Sequence, residues 1–120
     1  MKRYDLEERT EAFSLSVLNF CRAVKEDHIT KPMVSQLVRS ATSIGANYCE
    51  ANAASSKSDF RNKIHISKKE AQETCYWLRL IAKMDGVVSS EAMKLEGEAH
   101  EFVLIFGKIL SSISVSKLKN

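Results

Sequence analysis

The sequence predicts an all-α fold, an antiparallel up-and-down four-helix bundle, and three observations carry the prediction. Four segments place core-type residues at alternating steps of three and four, the spacing that lines up one seam of a helix, and each seam lasts more than two heptads. The 120 residues contain one proline and four glycines, far below what a loop-rich β-sandwich uses. The breaks between segments, around positions 26–30, 53–57 and 86–89, are short, and short connections make consecutive helices antiparallel neighbours. A chain of this length fits one domain, spanning 1–120, in which about two thirds of the unfolded surface is buried.

The first helix, over about 6–25, has the seam Leu6, Thr10, Phe13, Val17, Phe20 and Val24, with Asp5 and Glu8 spaced as a capping box. The second, over about 31–53, starts where Thr30 and Pro32 signal a fresh helix and carries Val34, Leu37, Ala41, Ile44, Tyr48 and Ala51. The third, over about 57–85, carries Phe60, Ile64, Ser67, Ala71, Thr74, Leu78 and Ile81 between a Ser56 cap and a Gly86 stop. The fourth, over about 89–115, continues the seam of Val88 with Ala92, Leu95, Ala99, Phe102, Phe106, Ile109 and Ile113. The tail SVSKLKN is expected to fray.

The stretch SIGANYCEA, at 43–51, puts a glycine inside the second helix, where it costs about 1 kcal/mol relative to alanine. Gly45 lies at the edge of the seam formed by Ile44 and Tyr48, so its missing side chain admits a neighbouring helix. The opposite face reads Gln36, Arg39, Ser43, Asn47 and Glu50, either a solvated stripe or one whose small members, Ser43 and Ala46, leave room for another chain.

The third helix has three faces at 100° per residue. Beyond its core seam, a second sector holds Ile66, Trp77, Leu80 and Met84, interrupted by Glu70 and Glu73. That sector is either a wide core stripe or a surface covered by another subunit. An antiparallel turn near position 55 sets Arg39 level with Glu70 and Glu73, and Glu50 level with Arg61, so ion pairs are expected there, within the bundle or between copies. The third sector holds Lys57, Arg61, His65, Lys68, Gln72, Tyr76, Arg79 and Lys83. Between positions 57 and 69, Lys57, Arg61, Lys63, Lys68 and Lys69 stand against Asp59 alone, a net +4 in a chain whose total is +3. Cations along one face track phosphates, and Tyr76 and His65 supply rings on which bases stack. The plain alternative is a lysine-rich face that serves solubility.

Several classes are disfavoured. The charged N-terminus MKRYDLEERTEAF is no secretory signal, and the longest apolar run, Phe102 to Phe106, is too short to span a bilayer, so a cytoplasmic protein with no membrane partner is expected. Cys21, Cys49 and Cys75 form no CxxC pair and read as small buried hydrophobes; His28, His65 and His100 fit no metal-ligand spacing, and neither metal nor other cofactor is implied. No nucleophile stands with a base, and Glu70 and Glu73, the nearest thing to a carboxylate pair, read as salt-bridge members. A non-enzyme is expected.

The order and spacing of SIGANY, EAN, DF, KEA and YWLRL, with YDLEERT near the start, resemble the bacterial four-helix-bundle proteins encoded in intervening sequences of 23S ribosomal RNA genes, from Tyr4 to about Leu110. That family is related in fold to the accessory protein of diversity-generating retroelements, a basic, barrel-shaped pentamer that binds nucleic acid beside a reverse transcriptase. The resemblance implies an up-and-down bundle, homopentamers and no enzymatic activity, and makes SIGANYCEA part of a shared helix-packing core. Two functions follow. In one, a homo-oligomer binds RNA or DNA backbone through Lys57, Arg61, Lys68, Lys69, Arg79 and Lys83, with Arg39, Ser43, Asn47, Glu50, Ile66, Glu70, Glu73 and Trp77 at the subunit interface. In the other, an oligomeric scaffold offers the Ile66, Trp77, Leu80 and Met84 stripe to a partner protein.

Overall fold

The computed structural model describes the backbone of residues 3–119 and the side chains of residues 5–113. Four helices follow one another: α1, Arg3–Ala23; α2, Thr30–Asn52; α3, Lys57–Met84; and α4, Ser89–Lys119. Residue pairs in contact run in opposite numerical order across each successive seam. Thr10 meets Gly45 and Glu7 meets Cys49; Ser67 meets Ile44 and Lys63 meets Glu50; Lys68 lies over Gly107 and Arg79 meets Glu96. Consecutive helices are therefore antiparallel, in a rod of 53 × 23 × 20 Å.

The core holds the seams read from the spacing, completed by Ser40, Cys75, Ala82 and, where the α4 seam named Ile109, by Leu110. Leu6, Thr10, Phe13, Val17, Phe20 and Val24 are all buried, as are Leu37 to Ala51 on α2, Ile64 to Ile81 on α3, and Val88 just before α4 with Ala92 to Phe106 on it, at their seam positions. Val34, Phe60, Ile109 and Ile113, at the ends of their seams, are half-buried. The middle of the core is aromatic: Phe102 is met edge-on by Phe13 at 5.4 Å and stacks with Phe106 at 6.2 Å, while Tyr48 tilts against Phe106 at 5.9 Å. Buried hydroxyls find partners on the backbone. Thr10 Oγ1 donates to the Glu7 carbonyl (3.0 Å), Thr74 Oγ1 to that of Glu70 (2.8 Å), and Ser67 Oγ crosses from α3 to the Ile44 carbonyl on α2 (3.0 Å).

The helix ends depart from expectation in four places. Asp5 lies inside the first turn of α1, so it does not form the start of a capping box. Ahead of α2 the capping is done by Asp27, whose Oδ1 accepts from the backbone N–H of Ile29 and of Thr30, both at 2.9 Å. Those amides hold its carboxyl below the usual carboxylate range. At the end of α3, Asp85 takes extended backbone (φ −127°), and among the described residues no glycine has positive φ, so Gly86 sits in the turn without forming a left-handed cap. Ser56 does cap α3, its hydroxyl accepting from Asp59 N–H at 3.0 Å. The α4 backbone stays helical to Lys119, through the tail expected to fray, and Asn120 lies outside the described residues.

Gly45 answers the question its helix poses. It is buried, and a Cβ built on it would lie 2.9 Å from Thr10 Oγ1 and 3.0 Å from Thr10 Cβ, so α1 passes where a side chain would stand. Gly45→Ala regains about 1 kcal/mol of helix propensity but forces an overpacked contact that costs about 1–3 kcal/mol. The clash wins because Thr10 is itself buried and tied to its own helix by its hydroxyl. A fall in Tm of about 4 °C is expected; an unchanged or higher Tm would mean that α1 yields freely.

The polar rim between α2 and α3 is an ion-pair network within one chain. Arg39 Nη1 donates to Glu70 at 3.0 Å, Arg39 Nη2 pairs with Glu73, and Lys63 Nζ lies 2.9 Å from Glu50. The acids on α3 hold the Arg39 guanidinium protonated even more firmly than usual, Glu70 foremost. Arg39→Ala is expected to lower stability by about 1 kcal/mol in urea unfolding, since one guanidinium bridges two carboxylates on a partly exposed surface. No change would show the network to be ornamental. Among the described residues, no helix is long and apolar enough to cross a membrane.

Candidate nucleic-acid interface

The face of α3 that points away from the core carries the cations singled out from the sequence. Lys57, Arg61, His65, Lys69, Gln72, Tyr76, Arg79 and Lys83 are exposed, and Lys68 is half-buried, its Cε and Nζ end lying over Gly107 of α4. From Lys57 to Lys83 the row spans about 39 Å at 1.5 Å per residue. Arg79 donates to Glu96 Oε2 at 2.7 Å and is largely neutralised. Lys57, Arg61, Lys68, Lys69 and Lys83 have no carboxylate within ion-pair distance among the described residues. Of the cations on this face only Arg79 is paired, and Lys57, Arg61, Lys69 and Lys83 are exposed to solvent.

The acid expected for Arg61 goes elsewhere. Glu50 pairs with Lys63, which lies seven residues before Glu70 and so on the side of α3 turned to α2, whereas Arg61 falls in the outward sector. The angular position of Lys63 was the available signal. Arg9 was also missed: its guanidinium makes a two-pronged pair with Glu98 (2.8 and 2.7 Å) and covers the Phe102 ring at 5.2 Å, joining α1 to α4.

The second apolar sector of α3 lies partly within the bundle. Ile66, Trp77 and Leu80 are half-buried, Trp77 packs against the core, and its Nε1–H donates to Glu73 Oε2 at 3.2 Å. Met84, at the end of that stripe, remains 49% exposed. Across the rim on α2, Ser43 and Asn47 are half-buried and bonded to their own helix, Ser43 Oγ to the Arg39 carbonyl and Asn47 Nδ2 to that of Ser43. Arg39, Glu50, Glu70 and Glu73 are engaged with each other and with Lys63 as described.

Of the cysteines, Cys75 is buried and Cys21 half-buried, and burial pushes the Cys21 thiol up to about 11. Cys49 corrects the expectation of three buried thiols: it is exposed, with Sγ donating to Glu7 Oε1 at 3.5 Å across the α1–α2 seam. It falls one residue past the Tyr48 seam position, which turns it outward.

No curated protein matches the chain. Among solved structures, a protein of unknown function from the S23 ribosomal protein family of Bacteroides thetaiotaomicron VPI-5482 is 31% identical and superposes with a TM-score of 0.83, the match covering 92% of this chain and 99% of that one. With that fold shared over nearly its whole length, and with residues 2–107 matching the family itself, the chain belongs to the 23S rRNA-intervening sequence protein family.

Proposed function

We propose that this protein is a non-enzymatic, homo-oligomeric bundle of the cytoplasm that binds the sugar-phosphate backbone of nucleic acid through the outward face of α3. The observation that carries the reading is the row Lys57, Arg61, Lys68, Lys69 and Lys83, cations on one helix face without acidic partners among the described residues. Such a row neutralises phosphates and releases their counterions, a gain independent of base sequence. Association of copies repeats the row and multiplies a weak affinity. Support for association comes from Met84, exposed at the end of a stripe continuous with half-buried Leu80 and Trp77, and from the pentamer implied by the family resemblance.

The test is a salt titration of binding to labelled RNA. With up to five phosphates engaged, the logarithm of affinity should fall with the logarithm of salt at a slope of about −3 to −4. Binding that ignores salt, or no binding at low salt, overturns the reading. Light scattering of the same samples reports the subunit count.

A further inference from the structure

We infer that the α3 face selects single-stranded nucleic acid over a duplex, with Tyr76 as the ring on which a base stacks. The inference rests on the backbone-binding reading above and specifies the ligand that reading leaves open. Two features of the face carry it.

The first is the shape of the row. Its unpaired cations lie on a helix without break from Lys57 to Met84, within one outward sector. Each duplex backbone winds around its axis, so it leaves a straight rod after a few phosphates. A single strand has no such constraint and can follow the row from end to end.

The second is Tyr76. Its side chain is 51% exposed in the same sector, about 10 Å along the axis from both Lys69 and Lys83 at seven residues each way. Its ring meets the Trp77 indole edge-on at 5.1 Å and 74°, and the indole is held by its N–H bond to Glu73, itself paired with Arg39. The phenol is therefore braced from behind, with half of its surface open to solvent between cations. A ring held this way stacks on an unpaired base with little further ordering, and every base has a face to offer. Bases inside a duplex are already stacked and present only edges to the grooves.

The experiment compares labelled 15-nucleotide oligo(U) and oligo(dT) with a 15-base-pair mixed-sequence duplex by fluorescence anisotropy, using the full chain at about 50 mM salt. Both single strands should bind at least tenfold more tightly than the duplex. Tyr76→Ala should weaken single-strand binding about tenfold and leave duplex binding unchanged, while Tyr76→Phe should behave as the parent. Tyr76 lies outside the core, and circular dichroism checks that both variants stay helical. Equal affinity for strand and duplex, or an unaffected Tyr76→Ala, overturns the single-strand inference and leaves backbone binding standing. Absence of salt-dependent binding to any of the three overturns both.

Discussion

Phe102→Ala should cost about 4 kcal/mol, the largest loss of stability expected from any single truncation in this chain. Phe102 is fully buried, and three groups converge on its ring: Phe13 edge-on, Phe106 stacked, and the Arg9 guanidinium over its face. Removing the ring loses its transfer free energy, leaves a cavity between α1 and α4, and deprives Arg9 of the surface that shields its pair with Glu98. Collapse around the gap is limited, because Phe13 and Phe106 sit on separate helices whose backbones are fixed by other contacts. Phe102→Leu keeps much of the volume and should lose about half as much. Urea unfolding followed by circular dichroism measures both. A loss below about 1.5 kcal/mol for the alanine variant would mean that the α1–α4 seam repacks, and that the aromatic cluster is not the centre of the fold.

The bundle was legible because every seam repeats long enough to fix its own phase. Leu6, Thr10, Phe13, Val17, Phe20 and Val24 are predicted by spacing alone and are all buried, Thr10 included although it is polar. Its hydroxyl is satisfied by its own helix, so periodicity outweighs side-chain chemistry there. Gly45 was legible as a point of close approach, but its partner was not: nothing in the spacing says that Thr10 of α1 fills the space. Helix ends were less legible, because a cap depends on one local hydrogen bond. Asp27, which the spacing did not single out, meets the amide that opens α2 and the one just before it, since its carboxylate reaches both at once. The candidate site divides in the same way. Which cations face outward follows from the 100° wheel, and their exposure agrees. Which of them stay unpaired depends on the rotation of the neighbouring helix: α4 turns Glu96 towards Arg79, and α2 turns Glu50 towards Lys63 instead of Arg61.

The double charge reversal Lys68→Glu/Lys69→Glu should reduce affinity for RNA by at least a hundredfold at about 50 mM salt. Two phosphate contacts are lost, and two carboxylates are placed where phosphates lie, so attraction turns to repulsion at the middle of the row. The salt slope should become shallower by about 1.4, the contribution of two phosphates on a single strand. The slope separates an electrostatic loss from a structural one, because a misfolded fraction lowers the active concentration without changing the slope. Lys69 is exposed and without an acidic partner among the described residues, so its reversal leaves the packing alone. The Nζ end of Lys68 lies over Gly107, so Lys69→Glu combined with Arg61→Glu provides a second pair on the same row that does not touch α4. Arg79→Gln is the control: its guanidinium is already engaged by Glu96, so its loss removes no cation of the unpaired row and should weaken binding far less than either double variant. Retention of affinity and slope in both double variants would place any nucleic-acid contact elsewhere on the molecule, and the unpaired row would then serve only to keep the bundle in solution.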